Sequence, residues 1–239
     1  MNVLRDNWRL IRNFLLEVLV VLLLQTGAEW IVMEAKVNAF IQAVESGERV
    51  RDPYHPDKPI HREGEDWIGS YGDIPLTYEA IHPVVQFFVG GHLGVVEDER
   101  RVIESSGLEA MSKNIVKYWP NTWKRRYDHV ILLRVHGATD EEYHQALENA
   151  RDLLGRQYDF LFTPFSRWIY CSEVPGRAWA PLGYNLNYDG LWITPNDVLI
   201  SPHTYIVYVQ YRDREGNLQV WSLDDSGSAG HRDNTTDGS

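Results

Sequence analysis

The feature that most constrains the fold is the apolar pattern of the first 45 residues. Apolar side chains recur there at intervals of three or four positions, which matches the 3.6-residue turn of an α-helix. The positions are Leu4, Trp8, Ile11, Leu15, Val18, Leu22, Trp30, Met33, Val37, Phe40 and Val44. Ser46-Gly47 follows, and glycine is common just past the last turn of a helix. The pattern predicts one long helix over residues 1–47.

The start of this helix is also typical of a membrane anchor. Three arginines within residues 1–13 precede the run 14–24, which is apolar except for Glu17. A basic start followed by an apolar run is found in signal peptides and signal anchors. A membrane-spanning helix needs about 20 residues, and a longer run would have to include Gln25 and Glu29.

Two interpretations of the helix therefore stay open. It could span or lie along a membrane, or it could pack on the domain or on a partner. If it spans, the arginines place the N-terminus in the cytoplasm and the rest of the chain outside. We expect a location in the cell envelope or at a membrane, with the cytoplasm as the alternative.

The composition excludes several classes of protein. The 239 residues are 44% hydrophobic and 24% charged, which is typical of a globular domain. The net charge of −11 excludes the basic surface of a general nucleic-acid binder, so we expect no nucleic-acid partner. A single cysteine excludes an internal disulfide and a cysteine-rich zinc site.

The chain divides by composition into four segments. After the helix, residues 48–70 are rich in proline, glycine and charge, and are predicted to form a linker or wrapping loop. Residues 71–224 are predicted to form the main domain, and residues 225–239 are predicted to be a disordered tail.

The domain combines short strands with helices. The pattern predicts strands at 72–77, 92–96, 101–105, 128–135, 204–211 and 218–223, and helices at 79–89 and 139–154. Since short strands and helices both occur, we expect an α+β fold with an antiparallel sheet or small barrel packed against helices, together with the long N-terminal helix.

One hairpin carries a candidate catalytic base. If its turn centres on Asp98, His92 lies opposite Glu104 and both side chains point to the same face. A carboxylate beside an imidazole fixes the ring tautomer and favours the charged form, as a catalytic base requires. The alternative is a weak ion pair on an exposed strand.

The single cysteine, Cys171, is the candidate nucleophile. Cys171-Ser-Glu173 has a polar, acidic composition suited to the first turn of a helix, where unpaired N–H groups stabilise a thiolate. Pro175 follows, where a longer helix would need an N–H group. The alternative is a buried cysteine that acts as a small apolar residue.

Taken in order, these motifs resemble the permuted papain-like amidases, the YiiX-like branch of the NlpC-type cell-wall hydrolases. The matching motifs are Gly72-Asp73, Gly91-His92-Leu-Gly-Val-Val96, Val102-Ile-Glu104, Tyr158-Asp159, Tyr170-Cys171-Ser172-Glu173 and the closing segment Ile193–Ser201. The histidine precedes the cysteine, which is the permuted order. The resemblance covers roughly residues 70–205. Relatives often have serine in place of Gly91 and a Leu-Val pair in place of Val174-Pro175.

The resemblance implies a role for each residue. Cys171 would be the nucleophile, His92 the base, Glu104 the residue that orients the base, and Tyr158 a pocket or oxyanion-side group. The neighbours of the base and the nucleophile are expected to contact substrate; they are Gly91, Tyr170 and Ser172.

The expected function is a thiol hydrolase that cleaves an amide bond in a peptide, a peptidoglycan fragment or a lipid-linked amide. One alternative is a lipid acyltransferase or phospholipase-type thiol enzyme, and another is a non-catalytic binding or structural module. We expect no cofactor and no metal, because the remaining histidines are scattered outside any metal-binding frame.

Overall fold

The computed structural model describes residues 2–79, 90–107, 113–162, 166–190 and 192–223. The predicted helix over 79–89 lies outside the described residues from position 80 onward, as does the predicted disordered tail. The helices are α1 (Asn2–Glu45), α2 (Trp123–Arg126), α3 (Asp140–Arg151), α4 (Glu173–Trp179) and α5 (Pro195–Ile200), with a 3₁₀ turn at Ala180–Leu182.

Seven strands form one antiparallel sheet. They are β1 (Ile74–Thr77), β2 (His92–Val96), β3 (Arg101–Ser105), β4 (Val116–Pro120), β5 (Val130–Val135), β6 (Thr204–Arg212) and β7 (Leu218–Ser222). Their order across the sheet is β4-β3-β2-β1-β5-β6-β7. Most neighbours in space are also neighbours in sequence, and short turns join β2 to β3 and β6 to β7.

The core lies at the centre of this sheet. Every residue of β1 and of β5 is buried, so both faces of the central strands are covered. Helices α3 and α4 pack against each other and against β2, whereas α1 packs on α5, β6 and β7. The capping box at Thr139 and Glu142 fixes the start of α3, as the sequence predicts.

A buried ionic cluster ties the loop 48–70 to the sheet. Arg134 on β5 is fully buried and pairs with Asp52 at 2.7 Å and with Asp73 at 3.2 Å. Lys58 pairs with Asp73 at 2.8 Å and lies over the ring of Tyr143. The loop therefore wraps the domain through charge pairs that water does not reach.

Helix α1 has two halves with different surroundings. In the second half, Met33 and Phe40 are buried in the core. Lys36 donates hydrogen bonds to the carbonyls of Leu199, Ser201 and Thr204, and burial lowers its pKa to about 8. In the first half, every side chain from residue 10 to residue 24 is exposed. Among the described residues, α1 is long and apolar enough to cross a bilayer.

The structure confirms the predicted α+β class with an antiparallel sheet, packed helices and a long N-terminal helix. The sheet is open at β4 and β7, not closed into a barrel. Strands β2 and β3 have their predicted bounds. The sequence analysis missed β4, α2 and α5, which are short and carry no periodic signal of their own.

Candidate active site

The hairpin of β2 and β3 brings the candidate base and its carboxylate together. His92 Nε2 lies 2.8 Å from Glu104 Oε2, and their side chains are 16% and 2% exposed. The predicted register is wrong, because Glu104 pairs with Gly94 and His92 lies two residues away along the strand. The shift is an even number of residues, so both side chains still point to the same face, and the long glutamate reaches diagonally to the ring.

Gly94 makes that diagonal contact possible. A Cβ atom at this position would lie 2.6 Å from Val102 Cγ1 and 3.0 Å from Glu104 Cγ. Both distances are shorter than normal carbon contacts, so any side chain here would displace the carboxylate. A prediction with the correct register would have placed Gly94 opposite Glu104.

Helix α2 supplies two further partners of Glu104. Trp123 Nε1 donates to Glu104 Oε1 at 2.8 Å, and Arg126 donates a short hydrogen bond to the same oxygen. The indole of Trp123 also stacks on the His92 ring, with 5.7 Å between centroids and 7° between planes. Sequence analysis missed both residues, because a four-residue helix gives no periodic signal.

These contacts explain the charge of the carboxylate. Burial raises the pKa of Glu104, but its hydrogen bond to His92 and the charges of His92 and Arg126 outweigh burial. The pKa of Glu104 is therefore lowered, and the group is an anion that aligns the imidazole.

The nucleophile is held by the loop before α4. The hydroxyl of Ser105, next to Glu104 on β3, donates to the carbonyl of Ile169 at 2.5 Å. Cys171 follows two residues later and lies just before Ser172, the N-cap of α4. Pro175 is the third residue of α4, where an N–H group would have no partner within the helix, so the proline fits.

Cys171 lies beside His92, and each of the two groups shifts the pKa of the other. Because Nε2 of the ring faces Glu104, Nδ1 is the nitrogen available to the thiol. Burial lowers the pKa of His92, but its hydrogen bonds to Cys171 and Glu104 and their charges outweigh burial and raise the pKa to about 9. These are the contacts of an imidazolium held between two anions.

The thiol shifts in the opposite direction. Burial raises the pKa of Cys171, but its hydrogen bond with His92 and the charge of that ring outweigh burial, with smaller contributions from the Ser172 hydroxyl and the Leu93 N–H group. The pKa of Cys171 is therefore lowered, which favours a thiolate–imidazolium pair.

Gly91, the residue before His92, lies where the backbone leaves no room for a side chain. Cys171 is 4% exposed, and its Sγ lies 4.0 Å from the carbonyl oxygen of Gly91. Gly91 has φ +141°, and a Cβ atom there would lie 1.9 Å from the carbonyl oxygen of Thr77. The serine that relatives often carry at this position would not fit in this backbone.

The other predicted residues surround the pair. The ring of Tyr158 lies 4.8 Å from that of Phe160, and burial and the Cys171 charge raise the pKa of its hydroxyl well above the ordinary value. Tyr170 and Ser172 are buried beside the nucleophile, and Ser172 Oγ lies 3.8 Å from Cys171 Sγ. Their predicted contact with substrate stays a prediction.

A group of carboxylates with metal-binding spacing lies at the junction of α1 and α5. Oxygens of Glu29, Asp189 and Asp197 lie within 4.8 Å of one another. Burial and neighbouring negative charge raise the pKa of Glu29 and of Asp197. None of these residues contributes to the Cys171 pair, so the thiol chemistry is carried by other groups.

No protein-family model matches the chain, and no curated protein matches it. A match among solved structures is the crystal structure of the metalloprotein yiiX from Escherichia coli O157:H7. It is 20% identical, with a TM-score of 0.45, over 58% of this chain and 96% of that one. It is a distant structural neighbour, and the relation to NlpC-type amidases stays a hypothesis from the sequence motifs.

Proposed function

We propose that the chain is a cysteine hydrolase that cleaves an amide bond through a thioester on Cys171. The observation that carries the proposal is the His92–Glu104 pair beside the thiol. His92 Nε2 lies 2.8 Å from the buried carboxylate of Glu104. Cys171 Sγ lies 4.0 Å from the carbonyl oxygen of Gly91, the residue before His92. A buried structural cysteine needs neither partner, whereas an activated nucleophile needs both.

The reaction divides into two acyl transfers. The Cys171 thiolate attacks the amide carbonyl, and the bond to nitrogen breaks as the His92 imidazolium gives its proton to the leaving amine. The neutral imidazole then takes a proton from water, and the hydroxide oxygen attacks the thioester. The bond to sulfur then breaks, the carboxylic acid leaves, and the thiolate remains beside the imidazolium that took its proton from water.

Two residues have supporting roles in this scheme. Glu104 keeps the ring oriented through both steps and stabilises its charged form, since its own charge is held by Arg126. Tyr158 is a candidate donor to the developing oxyanion, because its raised pKa keeps the hydroxyl protonated. The expected substrates are peptides, peptidoglycan fragments or lipid-linked amides.

The alternative enzymatic function is acyl transfer on a lipid, for which the same pair would form the same thioester and an alcohol or amine would replace water. The exposed apolar half of α1 favours this alternative over other thiol chemistries. A non-catalytic module would need no activated thiol, so reactivity of Cys171 discriminates it from both enzymes.

The test is alkylation with iodoacetamide at pH 6, followed by mass spectrometry. Cys171 is the single cysteine of the chain, so each adduct reports on this site alone. We expect wild type to react at least tenfold faster than the His92→Gln variant, because the imidazolium lowers the pKa of the thiol. Equal rates in the two proteins would contradict the proposal.

The matched control is His129→Gln, which changes a histidine whose side chain is 48% exposed and faces Glu79. Its alkylation rate should equal that of wild type. Hydrolysis of an amide library by wild type and by Cys171→Ala then identifies the substrate, since only products absent from the variant depend on the thiol.

A further inference from the structure

The first half of α1 is an apolar helix without a protein partner among the described residues. Trp8 is 65% exposed, Phe14 is 64% exposed and Leu24 is 69% exposed. A helix in water normally buries one apolar stripe and presents a polar face to solvent. This segment buries no stripe, so the isolated chain leaves a large apolar surface in water.

The distribution of apolar residues favours lipid over a second helix. From Val18 to Leu24 all seven consecutive side chains are apolar, which covers the whole circumference of the helix for nearly two turns. A partner helix covers only the seam of a heptad pattern and would leave the remaining faces in water. A bilayer surrounds the helix and covers every face.

Length and charge also fit a bilayer. Residues 8–24 make about 25 Å of helix, close to the roughly 30 Å of a hydrocarbon core. Arginines occupy positions 5, 9 and 12 at the N-terminal end, where long basic side chains can extend to lipid phosphates. Glu17 is the one acid between Asp6 and Glu29, and it opposes insertion.

The apolar segment ends where the helix first touches the domain. Gln25 donates to Asp189 at 2.5 Å, and Glu29 accepts from Asn196. Tyr188 precedes Asp189, and Trp192 follows it three residues later. Their side chains are 57% and 50% exposed, respectively. Exposed aromatic rings at such a level are typical of proteins seated at the lipid–water interface.

The candidate active site lies close to this level. The ring of Trp30 on α1 lies 5.5 Å from that of Tyr78. Tyr78 follows Thr77, which pairs with His92 across β1 and β2. Trp30 is six residues past Leu24, which is about 9 Å along the helix axis. A bilayer around the apolar segment would therefore have its surface about 9 Å along the helix axis from Trp30, whose ring contact Tyr78 lies next to the strand residue that pairs with His92.

We infer that residues 8–24 are embedded in a lipid bilayer and that α1 holds the Cys171 site at the lipid surface, where it acts on an acyl group carried by a membrane lipid. The embedding stands on the exposed helix alone, whereas the substrate class rests on the proposed thiol chemistry. The docked half of α1 fixes the distance between lipid and thiol, because Lys36, Met33 and Phe40 anchor it to the domain.

The embedding is tested by flotation of the full chain with vesicles of phosphatidylcholine and phosphatidylglycerol. We expect wild type to float and to resist extraction at alkaline pH. The double variant Leu15→Glu, Leu19→Glu should lose at least tenfold in bound fraction, because each new acid enters hydrocarbon. The control pair Leu218→Glu, Val220→Glu changes two similarly exposed residues on β7 and should float like wild type.

The position of the site is tested by vesicles that contain N-iodoacetyl phosphatidylethanolamine, which carries the alkylating group on its head group. We expect Cys171 to be labelled by this lipid in wild type and in the β7 control. In the α1 double variant, labelling by the lipid should fall at least tenfold, whereas labelling by iodoacetamide in solution should stay unchanged.

The outcomes separate the two proposals. Labelling by iodoacetamide without labelling by the lipid would overturn the placement of the site and leave the thiol chemistry intact. Slow labelling by both reagents in a chain that floats would overturn the proposed function and leave the embedding intact. Failure of wild type to float, including the case in which the chain forms a dimer in solution, would overturn the embedding.

Discussion

Two buried ionic clusters in this domain have similar composition and different consequences. The first joins Arg134, Asp52, Asp73 and Lys58, and the second joins Glu104, Arg126, His92 and Cys171. Both cost desolvation, and both neutralise charge by pairing. Burial of charge therefore does not by itself distinguish the site from the scaffold.

The clusters differ in whether a proton can move. Arg134 is held by two carboxylates and the carbonyls of Lys58 and Pro59, and its raised pKa keeps it charged at every working pH. The second cluster ends in a thiol beside an imidazole, two groups that exchange one proton near neutral pH. A cluster that stabilises a loop needs fixed charges, whereas a catalytic cluster needs a proton that can transfer from one group to another.

The largest expected effects break the two clusters in opposite ways. Arg134→Met leaves Asp52 buried without its cation and should cost about 3–5 kcal/mol of unfolding free energy, measured by urea unfolding followed by tryptophan fluorescence. Cys171→Ala should abolish every thiol-dependent reaction and cost about 1 kcal/mol or less, because few buried atoms are removed.

The control for Arg134 is Arg101→Met, whose side chain is 47% exposed and pairs with Asp98. It should cost far less unfolding free energy than Arg134→Met, because exposed ion pairs contribute little. If Arg134→Met proved as mild as Arg101→Met, the first cluster would not anchor the loop.

The next effect sharpens the comparison by changing one charge in the second cluster. Glu104→Gln keeps the shape of the side chain but removes the anion that helps raise the pKa of His92 to about 9. The ring should then lose its proton at lower pH, and the pKa of Cys171 should rise because its cationic partner is weaker. We expect alkylation at pH 6 to fall about tenfold for each unit by which the pKa of the thiol rises.

The pH dependence of stability gives an independent measure with a definite sign. A folded-state pKa above the ordinary 6.5 means that charged His92 stabilises the fold fully below pH 6.5, and that this contribution is lost as pH rises through about 9. The difference in unfolding free energy between wild type and His92→Gln should shrink over that window. A constant difference from pH 6 to pH 10 would show that the ring carries no excess charge.

The strands that carry His92 and Glu104 could be predicted from the sequence, whereas the strand register and the other partners of Glu104 could not. The strands that carry His92 and Glu104 are short runs separated by the polar turn residues 97–100, so their bounds could be predicted from local pattern. The register could not, because a turn centred on Asp98 and one centred on Glu99 fit the same polar residues equally well. Trp123 and Arg126 reach Glu104 through tertiary packing, which the local periodicity of the sequence does not predict.

The ion-pair partners of Arg134 in the first cluster could not be predicted from the sequence either. Arg134 stands in a strand that otherwise reads as apolar, and nothing near it in sequence pairs with it. Its partners Asp52 and Asp73 lie 82 and 61 residues away. A lone charge within an apolar strand predicts a buried pair, but not the identity of the partner.

The smallest expected effect concerns Gly94, which lies opposite Glu104 and adds no side chain between it and His92. Gly94→Ala would force the new methyl group against Val102 and Glu104, at distances that require one of them to move. We expect a loss of about 1–2 kcal/mol in unfolding free energy from overpacking, and a roughly threefold fall in alkylation at pH 6 as the contact to His92 lengthens.

Gly27→Ala is the control, since no atom lies within 4 Å of its new methyl group, and it should leave alkylation unchanged. If Gly94→Ala lost stability but kept the full alkylation rate, Val102 would be the residue that yields. The position of the carboxylate would then be fixed by Trp123 and Arg126, independently of the space at Gly94.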